Sequence, residues 1–212
     1  MKSKTLNVFL ICTFVINSIF AQETEEIISV ASYIESTELN ASPVDVITAE
    51  EFKNLRVSTV AELSKYLSVA SGSHFQTNAL DGVDQGMATI TLRGMDHAST
   101  LVLINKKRQT HAGTPSNDGE GYIDINIIPE IALNRIEILK DGATSLFGSD
   151  AVAGVINFQT YQSFDGMRLS LGSQKTSNYG QRDDSIGALF GGEGFGGSYV
   201  FALSALNKSS LN

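Results

Sequence analysis

Arg135-Ile136-Glu137-Ile138-Leu139-Lys140-Asp141-Gly142-Ala143 runs on, past Thr144 and Ser145, into Leu146-Phe147-Gly148-Ser149-Asp150-Ala151-Val152-Ala153-Gly154-Val155-Ile156-Asn157. Its first five residues read as a strand with Ile136 and Ile138 on one face. Asp141-Gly142 supplies a turn, and Val155-Ile156-Asn157-Phe158 reads as a further strand. Between them, Gly142, Gly148 and Gly154 punctuate a run of small residues. Glycine serves tight turns and close backbone approach far more often than ligand contact, so chain reversal is the role expected of all three.

Working outward, Leu101-Val102-Leu103-Ile104 is a continuous apolar run, the pattern of a central strand buried on both faces. Thr89-Ile90-Thr91-Leu92-Arg93 alternates and predicts a half-buried strand. Val44-Asp45-Val46-Ile47 predicts another, and Thr48 with Glu51 forms a capping box that starts a helix. Thr59 and Glu62 repeat that box, with Val60, Leu63 and Leu67 on one face of a helix expected to end near Ser71-Gly72. Gln76 to Ala88 and Gln109 to Tyr122 are long, polar and glycine-containing, hence loops. Pro43 to Thr160 therefore mixes short strands and short helices around a small sheet. The texture changes beyond Asp165-Gly166. Met167, Leu169 and Leu171 alternate with small or polar residues, as do Tyr199, Phe201, Leu203 and Ala205. Such segments have the length of a transmembrane β-strand, about 10 residues, and equally that of a soluble hairpin.

The first residues carry a different signal. Lys2 and Lys4 precede an uncharged, mostly apolar run from Leu6 to Phe20, which closes on the small Ala21. That order is a secretory signal peptide cleaved after residue 21. A spanning helix would need about 20 apolar residues, and Asn7, Thr13 and Asn17 break this run. Cys12 is the sole cysteine, so it leaves with the signal and the mature chain has no disulfide. Of the 212 residues, Asp and Glu outnumber Lys and Arg, for a formal net charge of -8. Without a clustered excess of cations, a nucleic-acid partner is not expected.

Other chemistries find little support. Gly192-Glu193-Gly194-Phe195-Gly196-Gly197 matches a dinucleotide fingerprint, but that fingerprint must open a helix. Ser198 to Leu206 reads instead as a strand, so a glycine hairpin is expected. His74, His97 and His111 lack metal-ligand spacing. Asp118, Glu120 and Asp124 could gather around calcium, although a solvated loop is the commoner use of such a run. No catalytic set can be assembled, and no cofactor or metal is expected.

Several of these segments resemble one known family, the TonB-dependent outer-membrane receptors. Leu92-Arg93-Gly94-Met95 followed by Leu101-Val102-Leu103-Ile104-Asn105 is similar to one signature of their plug domain. Ile128-Pro129-Glu130, with the run from Arg135 to Asn157 quoted above, resembles the second. Ser42 to Thr48 resembles the usual plug start, and Glu25 to Ser32 resembles a TonB box. The resemblance covers roughly Glu25 to Thr160. One departure stands in the turn after the Leu-rich strand, where the family usually has Asp-Gly and this chain has Asn105-Lys106.

The resemblance implies an α+β plug domain, a small mixed sheet with short helices, followed by the first few antiparallel strands of a transmembrane β-barrel. Its divisions would be a signal peptide at 1–21, an extension with the TonB box at 22–42, the plug at 43–162 and the start of the barrel at 163–212. It implies an outer-membrane location, the periplasmic domain of TonB and the barrel of the same full-length protein as partners, and an unidentified scarce nutrient as substrate. Glu26, Ile27, Ile28, Ser29, Val30, Ala31 and Ser32 would contact TonB by strand addition. Arg93 and Arg135 would face carboxylates of the barrel wall. Asp81, Asp84, Gln85, His111, Asn117 and Asp118, on the two long loops, would meet substrate. A closed barrel needs at least about eight strands, and alternation yields only about three after Asp165, so this stretch is expected to be incapable of transport alone. Two other readings remain open: a stand-alone periplasmic interaction or signalling module, and a secreted nucleotide-binding enzyme.

Overall fold

The computed structural model describes residues 44–57, 59–73, 86–116, 119–175, 182–194 and 196–209. The signal peptide and the TonB-box-like segment lie outside them, as do Asp81, Asp84, Gln85, Asn117 and Asp118. Among the described residues, two sheets make up the fold. The first has five strands, β1 (Val44–Thr48), β2 (Thr100–Ile104), β3 (Lys107–Arg108), β4 (Leu133–Leu139) and β5 (Gly154–Thr160), in the order β1-β4-β5-β2-β3. Only β2 and β5 run parallel; β1, β4 and β3 are antiparallel to their neighbours.

The hydrophobic alternation sets the register. Ile138 stands opposite Ile156, and Ile156 opposite Val102. These join Ile136 and Phe158 on one face, over Leu63, Ile90, Leu92 and Ile125. Leu101, Leu103, Leu139 and Val155 form a second core on the other face, with Ala143 and Ala151. β2 is thus buried on both sides, as its unbroken apolar run predicts. Phe158 is fully buried and alone contributes about 2–3 kcal/mol of apolar burial.

The helices are shorter than their patterns indicate. Thr48 caps α1 (Ala49–Asn54) with both halves of the capping box in place. Thr59 likewise accepts from the Glu62 amide, but the element it starts is a 3₁₀ helix, Val60–Tyr66. It stops at an extended Leu67 rather than near Ser71-Gly72. The turns that follow bring the Val69 and Ser71 carbonyls to the amides of Arg93 and Gly94, which a continuing helix would not allow. The segment Thr89–Arg93 also departs from expectation. Thr89 to Leu92 are all buried, not alternately exposed, and only Thr89 makes a bridge. The Ser73 and Thr100 hydroxyls take the Thr91 and Leu92 amides, so side chains replace a ladder. Arg93 and Gly94 then adopt left-handed φ values of 61° and 67° and turn the chain away.

The second sheet is an antiparallel meander of β6 (Gly166–Lys175), β7 (Arg182–Gly194) and β8 (Gly197–Lys208). Met167, Leu169 and Leu171 pair with Phe190, Ala188 and Ile186, and these with Phe201, Leu203 and Ala205. Period-two pleating puts the whole set on one face. Met167, Leu169, Leu171, Ile186, Phe190, Phe201 and Leu203 are all exposed there. The opposite face meets the short 3₁₀ segment Glu130–Ala132 that precedes β4. Gly194 pairs with Gly197 in the tight β7–β8 turn, so the glycine fingerprint closes a hairpin and opens no helix.

Candidate functional site

Buried polar groups hold the first sheet together. Glu137, in the middle of β4, is fully buried on the face opposite Ile136 and Ile138. Its carboxylate accepts the Asn157 side-chain amide at 3.0 Å and the Gln159 side-chain amide at 2.7 Å, and pairs electrostatically with the Arg135 guanidinium, whose Nε lies 3.0 Å away without a hydrogen bond. Asn157 Oδ1 in turn accepts the Lys106 backbone amide at 2.9 Å. The chain of contacts runs from β4 through β5 to the turn that joins β2 and β3. Asn105 and Lys106 occupy that turn with φ of 51° and 65°, the mirror-image geometry that Asp-Gly usually provides. Arg93 reaches another corner, donating to the Lys140 carbonyl and, at 3.0 Å, to Asp141. Its position is a turn, not the strand edge its pattern predicts. Arg93 and Arg135 are therefore both tied to carboxylates within their own domain.

Of the predicted loop residues, only His111 is described. It is exposed, in a loop closed by backbone bonds from Ala112 to Tyr122, Ser116 to Glu120 and Gly119 to Ser116. At the loop's base, Arg108 donates to Asp150 and to the Phe147 carbonyl. The Arg108 and Ser149 hydrogen bonds hold the Asp150 carboxyl below its usual range. Asp124 caps its own turn by accepting the Asn126 amide. Among the described residues no cluster of metal-ligating side chains occurs.

The residues at the seam between the domain and the second sheet were not foreseen from the sequence, which assigned that contact to Arg93 and Arg135. Ile131 packs on Gly187 of β7, and a side chain added at Gly187 would stand 3.4 Å from Ile131 carbons. In β6, Arg168 lies over the rings of Tyr161 and Phe164, each at 5.2 Å, and bonds the Tyr161 hydroxyl at 3.1 Å. Those two aromatics sit on the link from β5 to β6. Lys208 of β8 stands 3.6 Å from Glu62 and 3.7 Å from Asp183 of β7. Beside this ionic group lies a cleft of about 160 Å³ between β8 and the domain, lined by the polar Thr59, Asn126, Glu130 and Ser204 and equally by the apolar Val60, Ile128, Ala205 and Leu206. Burial, and secondly the charge of Glu62, push the Glu130 carboxyl up from its ordinary value.

The arrangement is a small domain seated on the inward face of a curtain whose outward face is apolar. The TonB-dependent Receptor Plug Domain model matches residues 37–155. The iron-regulated outer membrane virulence protein of Vibrio cholerae is 32% identical over 149 residues, covering 68% of this chain and 22% of that protein. The vitamin B12 transporter BtuB of Vibrio vulnificus is 27% identical over 195 residues, covering 82% of this chain and 31% of its own length. Among solved structures, the siderophore receptor PirA from Acinetobacter baumannii aligns over 80% of this chain and 25% of its own, with a TM-score of 0.58 and 25% identity. The unliganded ferric citrate transporter FecA shares the fold, with a TM-score of 0.60 at 19% identity over 80% of this chain and 26% of its own. The chain spans between about a fifth and a third of the length of these proteins, which are receptors and transporters rather than enzymes. With more than half of its residues inside the plug match and an apolar-faced antiparallel sheet directly after it, this chain belongs to the TonB-dependent outer-membrane receptor family, comprising its plug domain and strands of its barrel.

Proposed function

We propose that this chain is the N-terminal gating region of a receptor that takes up a scarce nutrient across the outer membrane with energy delivered by TonB. One observation carries the reading. The five-stranded domain packs on one face of β6-β7-β8, while the other face exposes a continuous apolar row from Met167 to Leu203. A lipid-facing strand needs such a row, with smaller or polar residues turned inward. A stand-alone periplasmic module would leave the same row in water, where patches of this kind drive association. The glycine hairpin likewise offers no helix N-terminus to a nucleotide.

Within this reading, Glu26 to Ser32 is the segment that adds as a strand to TonB. Gln76 to Ala88 and Gln109 to Tyr122 are the substrate-meeting loops, bringing Asp81, Asp84, Gln85, His111, Asn117 and Asp118 toward the ligand. Arg93 and Arg135, with their carboxylate partners inside the domain, face the barrel wall. The relatives' names span iron, vitamin B12, siderophores and citrate, so uptake is measured with each of these labelled compounds. The test expresses the full-length gene in cells that lack their own outer-membrane receptors. Uptake of one compound above background, dependent on TonB, is the expected result. Loss of that dependence, or no barrel in the outer membrane, removes the proposal.

A further inference from the structure

The turn from β2 to β3 is cationic where the family usually carries Asp-Gly. Lys106, Lys107 and Arg108 follow one another there, all exposed. Arg108 is paired with Asp150, but among the described residues no carboxylate meets Lys106 or Lys107. Lys106 keeps its charge at a position of φ 65°, which glycine or asparagine would occupy with less strain. The second sheet tells which end of the domain this is. β7 and β8 join through a tight turn between Gly194 and Gly197, whereas residues 176–181 separate β6 from β7. In such barrels short turns lie on the periplasmic side and longer loops outside. Gly166 of β6 pairs with Gly191 near the tight turn. Thr160, which Asn105 grips, lies just ahead of Gly166 in the chain. Lys106 and Lys107 therefore stand at the periplasmic end. Arg168 adds a third cation there, over the rings of Tyr161 and Phe164. Asp165, on the same link, is exposed and forms no ion pair with them.

Charge complementarity names an occupant in the chain itself. Residues 22–42 contain Glu23, Glu25, Glu26, Glu35 and Glu38 and no Lys or Arg. The span is within reach. β1 and β3 are the two edges of the five-stranded sheet, and at about 4.8 Å per strand, with the offset along the strands, Val44 lies roughly 25 Å from Lys107. Glu26 precedes Val44 by 18 positions, a chain length of up to about 60 Å. Resting on the receptor reading above, we propose that Lys106, Lys107 and Arg168 form a docking surface for the acidic N-terminal stretch, holding Glu23, Glu25 and Glu26 at the periplasmic end of the domain. The contact uses side-chain carboxylates alone, so the amides of Ile27 to Ala31 stay available for strand addition to TonB. Each exposed pair is weak by itself. Covalent attachment supplies an effective concentration on the order of millimolar, at which several weak pairs together hold the stretch in place.

The experiment uses the detergent-solubilised full-length receptor with a nitroxide on Thr24→Cys, any other cysteine of the mature protein being changed to serine. At roughly 0.05 M salt the spectrum of the parent should be dominated by an immobilised component. Raising the salt to about 1 M, where the Debye length falls to about 3 Å, should free the label. Lys106→Asn with Lys107→Gln should lower the ratio of immobile to mobile label about tenfold at low salt, the equivalent of about 1.4 kcal/mol; asparagine keeps the left-handed turn. Lys106→Asp with Lys107→Glu should free it further, and adding Glu25→Lys and Glu26→Lys to that variant should restore the immobile component. Lys175→Gln, at the other end of β6, is the control and should change nothing. A mobile label in the parent, equal release by Lys175→Gln, or no restoration by the charge exchange overturns the inference. Heat-modifiable migration on gels is read on every variant. A parent that forms no barrel sinks the receptor reading as well, whereas a barrel whose label is mobile at low salt sinks this inference alone.

Discussion

Asn105 grips Thr160 across 55 residues of sequence: its Oδ1 accepts the Thr160 amide at 2.9 Å and its Nδ2 donates to the Thr160 hydroxyl at 2.9 Å. The turn that departs from the family's Asp-Gly is thereby bolted to the end of β5. Asn105→Ala should destabilise the domain by about 1–3 kcal/mol, since it strands a partly buried amide. Lys106→Gly should stabilise it by roughly 0.5 kcal/mol, because a left-handed lysine is strained and the gain is partly offset by glycine's larger unfolded-state entropy. Pulse proteolysis of the detergent-solubilised receptor measures both; opposite signs are the expected pattern.

Glu137 is the most demanding polar residue in the fold. Glu137→Ala leaves Asn157 and Gln159 without their shared acceptor and Arg135 without its counter-charge, and should cost about 3–5 kcal/mol. Glu137→Gln keeps an acceptor oxygen but removes the charge, so roughly half that loss is expected, on the scale of a charge-assisted hydrogen bond. Denaturant titration of the two variants would contradict this if alanine proved the milder change.

Gly154 opens β5 at φ 143°, and an added Cβ would collide with the Leu139 carbonyl and lie 2.7 Å from Leu92 Cδ1. Gly154→Ala should therefore destabilise by on the order of 3 kcal/mol, from strain and overpacking together. Gly113, around which nothing lies within 4 Å, is the control position. A thermal melt in which both alanine variants behave alike would argue against the close-approach account.

The half-buried Glu130 supplies a pH dependence with a definite sign. Its folded-state carboxyl titrates above its unfolded one, through burial first and Glu62 second. It therefore binds protons more readily when folded, so its ionisation opposes folding at pH values above the raised value. That penalty fades as pH falls through the folded value and is gone below the unfolded one. Glu130→Gln should stabilise the domain at neutral pH, with the advantage shrinking to nothing toward pH 4. An advantage constant across that range would mean that packing, not charge, is responsible.

For the N-terminal segment, proline at Ile28 or Val30 removes an amide needed for strand addition. Each variant should bind the TonB periplasmic domain at least roughly tenfold more weakly, the loss expected when one or two backbone bonds fail. Fluorescence anisotropy of a labelled 22–42 peptide checks it, and unchanged affinity would remove the segment from contention.

Period-two and unbroken apolar runs by themselves determined β1, β2, β4, β5 and the two outer strands of the second sheet, because burial on one or both faces leaves its mark on neighbouring residues. The capping box at Thr48 was legible for the same local reason. The middle strand β7 was harder to bound, since Gly187, Gly191 and Gly192 interrupt its alternation. A side chain at Gly191 would strike the Phe164 carbonyl, and one at Gly187 would strike the Ser170 hydroxyl of β6; both demands come from other segments of the chain. The same holds for Thr89 to Arg93, whose alternation belonged to no ladder once Ser73 and Thr100 took its amides. The sequence placed Ile136 and Ile138 on one face of β4 but left Glu137 unassigned; the sheet order β4-β5-β2 buries it beside Asn157. Glu62 and Lys208 lie 146 residues apart, and nothing local to either marks them as partners. Local pattern settles which residues seek the core; which polar groups must then share the dry space between two sheets is decided only when tertiary packing brings distant segments together.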